Sequence, residues 1–252
     1  KPLDPRLLTT IAPAVAKAAI DSGVAQVVIT DWEEYKEELS KRLGLDNKLL
    51  KNITERAKRN PKKVVFAEAD NYKTLKAAQI VNDEGIAKPI LLGKIKKINE
   101  IAEEFHLDIE GLTIIDPRSS KEQARKDKYA KLLFEKRKRR GVTLMEARDM
   151  VRSRNYFGSA MVEMGDADAL ISGLTRNYRN TIRPALQVIG TDEDVSKIAG
   201  MYILFTKQGP FFFADTTVNV NPTARDIVDI TLLTSKIIQR FKITPRIALL
   251  SY

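Results

Sequence analysis

At 252 residues, 43% hydrophobic and 30% charged, the sequence has the balance of a globular protein and enough chain for one core or two smaller ones. It has no cysteine and a single histidine, His106, which excludes disulfides, cysteine-based zinc sites and thiol nucleophiles and leaves no material for a histidine triad or a His-rich metal site. The 43 Lys and Arg exceed the 33 Asp and Glu to give a formal +10, which suits either a solvated basic surface or an acidic partner, and no apolar run approaches the ~18 residues of a membrane span.

Asp4-Pro5 is a helix start, Asp as cap and Pro at the first helical position. Leu7, Leu8, Ile11, Val15 and Ala19 follow at helical spacing, and Gly23 closes the helix. After the short run Val27-Val28-Ile29, Asp31 caps a second helix through Trp32, Tyr35 and Leu39 to Leu43. Gly44 to Asn47 is a break, and a third helix runs to about Arg59. From Pro61 the grammar changes. Strands are expected at Val64–Phe66, Pro89–Leu92 and Leu112–Ile115, separated by helices at Asn71–Gly85 and Lys94–His106. His106 ends a helix, where a cation near the last carbonyls is a structural role.

Ser119–Arg140 reads as one long charged helix closed by Gly141, and Thr143 with Glu146 forms a capping box for the next. Asn155–Gly165 is helical, Ala169–Ile171 is a strand running into Ser172-Gly173, and Asn180–Ile189 is helical. A hairpin is expected next, with arms Lys197–Thr206 and Phe211–Val218 about a Lys207–Pro210 turn. Thr223 caps a helix over Ala224–Phe241, and Arg246–Tyr252 reads as a buried final strand. Strand–helix alternation with one hairpin predicts an α/β fold, a largely parallel mixed sheet with helices on both faces. A chain that starts at Lys1 without methionine and stops on an apolar strand reads as a fragment cut at both sides.

Three constellations carry the candidate chemistry. Lys136-Arg137-Lys138-Arg139-Arg140 ends a helix, where cations complement the carbonyl dipole. Helix geometry lets at most two of the five face one site, so the functional alternative is that Arg137 clamps a phosphate with its planar fork. Ile171-Ser172-Gly173-Leu174-Thr175-Arg176 leads to Thr181-Ile182-Arg183-Pro184. It is either a plain tight turn, or a strand-end turn whose free N–H groups favour an anion that Arg183 also reaches. In Phe213-Ala214-Asp215-Thr216-Thr217-Val218-Asn219-Val220-Asn221, Asp215, Thr216 and Asn219 directly follow a buried run. Turn bonds and helix capping account for two or three of these polar groups and leave the others for a ligand.

At this point the residues resemble a family. Ser172-Gly173, Arg183-Pro-Ala-Leu-Gln-Val-Ile189, the run Phe213 to Pro222 and Pro245 to Tyr252 resemble the phosphate acetyl/butyryltransferases. Ala67-Glu68-Ala69, Leu75-Lys-Ala-Ala78 and Ile90-Leu-Leu-Gly93 fit the start of the same domain, and the likeness spans about Asn47 to Tyr252. The opening residues, Pro2 to Leu8, Ile11 to Ala19 and Ser22 to Ala25, resemble the last helices of a bacterial malic enzyme. Together these resemble the fused NADP-dependent malic enzymes, whose C-terminal half is similar to phosphotransacetylase.

The resemblance implies residues 1–46 as a malic-enzyme tail and linker. It implies residues 47–252 as a two-lobed domain, with lobes of about 47–152 and 153–252, akin to isocitrate and isopropylmalate dehydrogenases and truncated at its C-terminus. It implies Arg137 and Arg183 as the cleft arginines, with Ser172, Gly173, Asp215, Thr216 and Asn219 shaping a site for acetyl-CoA or CoA. It also implies a further Ser-Arg pair and an Asp beyond Tyr252. Leu174-Thr-Arg-Asn-Tyr-Arg179 departs from the small, Thr-rich turn of the transferases and places bulk and charge where the acyl group sits. The expected function is therefore a regulatory acetyl-CoA-binding domain. The alternatives are an active phosphate acyltransferase, in which the same arginines steady charge on the thioester oxygen, and an oligomerisation module without ligand. The expected partners are acyl-CoA and phosphate, in a cytoplasmic homo-oligomer built on dimers, with neither nucleic acid nor membrane and no metal in this segment. NADP and a divalent metal are expected only in the malic-enzyme half.

Overall fold

The computed structural model describes residues 6–42, 48–191, 195, 197–206 and 208–250. The chain divides into one unit of Ile53–Ile198 and another of Lys1–Asn52 with Ala199–Tyr252. The three expected opening helices are α1 (Arg6–Asp21), α2 (Trp32–Arg42) and α3 (Lys48–Arg59). The expected lobe boundary near residue 152 falls inside the first unit.

In the unit Ile53–Ile198, four short apolar runs form β1 (Lys62–Phe66), β2 (Ala87–Leu92), β3 (Thr113–Ile115) and β4 (Ala169–Ile171). They pair in the order β3-β2-β1-β4, parallel throughout, with Val65 opposite both Ile90 and Leu170. Parallel neighbours require crossover connections. These are α4 (Tyr72–Asp83) and α5 (Ile95–Glu104), then α6 (Gln123–Arg137), α7 (Leu144–Met150) and α8 (Arg154–Glu163) before β4. Successive strand residues face opposite sides. Val65, Ile90, Leu92 and Ile115 enter one core with Tyr129, Leu133 and Phe157. Phe66 and Leu91 enter a second core with Leu75, Ala78 and Ile98. Helices therefore cover both faces, and each such side chain contributes about 1.5–3 kcal/mol on burial.

The capping box stands as expected, with the Glu146 amide donating to Thr143 Oγ1 at 3.2 Å and the Thr143 amide to Glu146 Oε2 at 2.8 Å. The long charged helix is shorter than its sequence span. Its ends, Ser120–Glu122 and Lys138–Arg140, tighten into 3₁₀ turns, a frequent way to finish an α-helix. Helix α9 (Tyr178–Val188) starts two residues earlier than expected, because the Asn177 side chain accepts the Asn180 amide at 3.0 Å.

The other unit contains α1 (Arg6–Asp21), α2 (Trp32–Arg42), the antiparallel hairpin β5 (Met201–Thr206) with β6 (Gly209–Ala214), and α10 (Ala224–Arg240). Asp31 caps α2 by accepting the Glu33 and Glu34 amides, each at 2.9 Å. The expected Asp4-Pro5 start, the Gly44–Asn47 break and Lys207 lie outside the described residues. Among the described residues the hairpin pairs only with itself, so parallel and antiparallel pairing are divided between two sheets and do not share one. Its second arm ends at Ala214, not Val218, because the Asp215 carboxylate gathers the amides that would have continued the ladder. The expected final strand is also corrected. Arg246–Leu250 joins no strand among the described residues, and Leu249 and Leu250 are exposed, since an apolar run without a paired neighbour has no ladder to enter.

Candidate functional site

The chain winds outward from β1 through β2 to β3, then returns to the far side of β1 as β4. In an open parallel sheet the crevice beyond the strand ends at such a reversal is the preferred ligand position. Glu68 leaves β1 there and Ser172–Thr175 leaves β4. Gly173 has φ 115°, a conformation a side chain would strain. The turn then presents three successive amides to the Glu68 carboxylate. Gly173 and Leu174 donate to Oε2 at 2.9 and 2.7 Å, and the Thr175 amide donates to Oε1 at 3.0 Å, with the Thr175 hydroxyl as a fourth donor. Burial pushes the Glu68 pKa up. The Thr175 hydroxyl and the three amides outweigh that and hold it below the ordinary carboxylate value. The free turn amides expected for a ligand anion are thus engaged by the protein's own carboxylate.

Ser172 points the other way, donating from Oγ to Asn155 Oδ1 at 2.8 Å. Asn155 is buried at the start of α8, and its Nδ2 donates to the Asn180 carbonyl of α9 at 3.2 Å. The next residue, Tyr156, donates its hydroxyl to Gln187 Oε1 on α9. Burial raises the Tyr156 pKa, and the charges of Arg183 and then Arg137 act on the same phenol in the opposite direction. Both arginines are thus within electrostatic range of one hydroxyl, on the residue next to Asn155 in sequence.

The neighbours of Arg137 explain why it is the one turned inward. Lys136 pairs with Glu163 and reaches the Ile189 carbonyl at 3.4 Å, Lys138 pairs with Glu135, and Arg139 and Arg140 are exposed. Arg137 is half-buried, and its Nε is buried without a hydrogen-bond partner. A buried donor left so costs about 1–3 kcal/mol. Arg183 is exposed on α9. Both guanidinium groups supply positive charge and N–H donors within electrostatic range of the Tyr156 phenol, whose own hydroxyl proton goes to Gln187.

Asp215, Thr216 and Asn219 lie in the other unit. Asp215 accepts the Gly200 amide at 2.8 Å, the Thr217 and Val218 amides at 3.3 Å each, and the Asn219 amide and side chain at 2.6 Å each. Burial raises its pKa, but the Gly200 and Asn219 donors lead a set of bonds that holds it down at about 2. Asp215 is saturated by its own turn, and Asn219 is one of its donors. Thr216 gives its amide to the Gly200 carbonyl at 3.2 Å, and its buried hydroxyl has no partner.

Sequence reasoning passed over Glu68, Tyr156 and a bidentate pair. Arg154 grips Asp70 through Nη1 at 2.5 Å and Nη2 at 2.7 Å, and Lys97 stands 3.8 Å from the same carboxylate. The available signal was position, since Glu68 and Asp70 directly follow β1 and Arg154 opens α8. Among the described residues no group of three His, Cys, Asp or Glu side chains could hold a metal ion, and no helix is long and apolar enough to cross a membrane.

The sequence profile of phosphate acetyl/butaryl transferase matches residues 48–252. The NADP-dependent malic enzyme of Escherichia coli (strain K12) is 36% identical over 253 residues, covering 100% of this chain and 33% of that protein. The phosphate acetyltransferase of Nitratidesulfovibrio vulgaris is 35% identical over 201 residues, 80% of this chain and 28% of that protein. The crystal structure of a phosphotransacetylase from Streptococcus pyogenes superposes with a TM-score of 0.72 at 29% identity, covering 81% of this chain and 61% of that one. The chain thus spans about a third of the length of the curated relatives it matches.

Proposed function

The chain belongs to the phosphate acetyl/butaryl transferase family, and from that premise we propose that it is the regulatory acetyl-CoA-binding domain of an NADP-dependent malic enzyme. The observation that supports a ligand here is the buried, unpartnered Nε of Arg137, with Arg137 and Arg183 both in electrostatic range of Tyr156. An acyl-CoA offers phosphate groups to guanidinium forks and a thioester carbonyl to hydrogen-bond donors. The host enzyme is proposed from coverage. The family profile begins at residue 48, whereas the malic-enzyme likeness extends over the residues before it. Those first residues are then the tail of the malate-oxidising half, which would carry NADP and a divalent metal outside this segment. Acetyl-CoA acts by binding two conformations of the enzyme unequally, since only differential affinity shifts such an equilibrium. The protein on this reading is cytoplasmic and assembles from dimers.

The test is NADP-dependent malate oxidation by the intact protein with and without acetyl-CoA. The rate should change with acetyl-CoA in the wild type, and that response should disappear in Arg183→Ala. Absence of any acetyl-CoA binding by titration calorimetry would end the proposal and leave assembly as the domain's role.

A second reading, phosphate acyltransferase activity of the domain itself, is favoured by the presence of two arginines in electrostatic range of the same phenol. There they would stabilise negative charge developing on the thioester oxygen as phosphate attacks. Formation of acetyl-CoA from acetyl phosphate and CoA by the intact protein decides it.

A further inference from the structure

Beyond the strand ends of the parallel sheet lies an open cavity of about 520 Å³, within the range of small-ligand sites. All its lining residues belong to the unit Ile53–Ile198, and none of Arg137, Tyr156, Ser172 or Arg183 is among them. Its walls carry Lys94, Lys97, Arg118, Arg152, Arg154 and Arg176 against only two carboxylates, Asp70 and Asp116.

The pairing inside the cavity shows which charges are spoken for. Asp70 is gripped by Arg154 and approached by Lys97. Arg152 stands 3.8 Å from Asp149. Asp116 accepts the Arg118 backbone amide at 3.0 Å. Lys94, Arg118 and Arg176 have no acidic partner among the described residues. These three follow three different strands: Lys94 leaves β2, Arg118 leaves β3 and Arg176 leaves β4. One sheet thus delivers three unpaired cations to one concavity from separate loops. The N-terminus of α5, which Lys94 precedes without a side-chain cap, opens at the same wall and adds its dipole.

We propose that this cavity is a second anion site, separate from the Arg137–Arg183 pair, which binds a small molecule bearing a diphosphate or two phosphate groups. One phosphate monoester carries about −1.5 to −2 at pH 7, so three free cations exceed what one requires and suit two. The Asp70–Arg154 pair serves as the fixed floor, its charges already cancelled.

The probe is inorganic pyrophosphate, titrated into the intact protein at constant ionic strength and read by calorimetry and by the thermal midpoint. The wild type should bind it and melt at higher temperature than in sodium chloride of equal ionic strength. Lys94→Ala with Arg118→Ala should weaken binding by about tenfold or more, as expected for losing two charge-assisted contacts. Arg139→Ala, an exposed cation that lines neither site, should leave pyrophosphate binding within about twofold of the wild type. Should the double variant fail to fold by circular dichroism, Arg176→Ala, at an exposed position, replaces it with the same expected direction. The proposal is overturned if pyrophosphate stabilises no more than sodium chloride does. It is equally overturned if the cavity variants bind like the wild type, or if binding is lost in Arg183→Ala alone.

Discussion

Replacing Glu68 by glutamine tests the bracing of the Ser172–Thr175 turn with almost no change of shape. The carboxylate takes four donors, two on each oxygen. A glutamine keeps one acceptor oxygen and turns an NH₂ group toward the other two donors. Flipping the amide only chooses which pair is lost. Hydrogen bonds to a charged group contribute about 1.5–3 kcal/mol each, so losing two gives an upper figure of about 3–6 kcal/mol. Leu174 and Thr175 are exposed, and water can replace part of what is lost, which brings the expected destabilisation to about 2–4 kcal/mol. For a chain of this length that lowers the melting midpoint by roughly 5–15 °C.

The assay is thermal and urea unfolding of Glu68→Gln beside the wild type, with Glu68→Ala as a third arm. The alanine variant leaves three amides aimed at an empty space, an arrangement that attracts anions. Added phosphate should therefore raise its midpoint more than that of the wild type. A Glu68→Gln protein melting within about 1 °C of the wild type would show that the four bonds contribute nothing net, and the account of the turn would fail.

Arg154→Ala strands the largely buried Asp70 carboxylate and should destabilise by about 2–4 kcal/mol, and a double-mutant cycle with Asp70→Ala should return a coupling of about 1–3 kcal/mol by urea unfolding. Asp215 has a folded pKa of about 2 against an ordinary 3.8, so its contribution is complete above about pH 4 and disappears as pH falls toward 2. Asp215→Asn should accordingly be less stable than the wild type at pH 7, with the gap closing between about pH 4 and pH 2 in pH-dependent melts. Glu68 works in the same sense, its stabilisation present above its ordinary 4.5 and lost in more acid solution.

The parallel sheet was readable because its strands are buried on both faces, so Val64–Phe66 and Ile90–Leu92 appear as unbroken apolar runs bounded by turns. Helix starts were readable because a cap acts over three residues, as at Asp31, Thr143 and Thr223. Arg246–Leu250 has the same apolar character, yet strand formation depends on a partner, which local sequence does not record. Glu68 was invisible for a related reason. Nothing in Ala67-Glu68-Ala69 announces that its acceptor oxygens belong to a turn more than a hundred residues later. Helix geometry restricted the five cations at 136–140 to at most two inward positions. Within that limit Lys136 reaches Glu163 and the Ile189 carbonyl and Lys138 pairs with Glu135, while Arg137 keeps a buried Nε without a partner.

The same arrangement decides how this domain can select a ligand. At the sheet reversal the anion expected on backbone amides is Glu68 itself, so a bound molecule must find its partners among side chains. Around the cavity Lys94, Arg118 and Arg176 have no acidic partner among the described residues, and Arg137 and Arg183 are the cations proposed for acyl-CoA. Several of these are solvent-exposed, where attraction is screened over about 8 Å at physiological salt. Binding through them should therefore weaken steeply with ionic strength and favour ligands with several charges over those with one. A backbone nest would have bound a single phosphate with less regard to salt. The +10 of the chain is in this sense not a diffuse surface property, because part of it is gathered at the strand ends of one sheet, facing a cavity whose two carboxylates are Asp70, taken up by Arg154, and Asp116, which accepts a backbone amide.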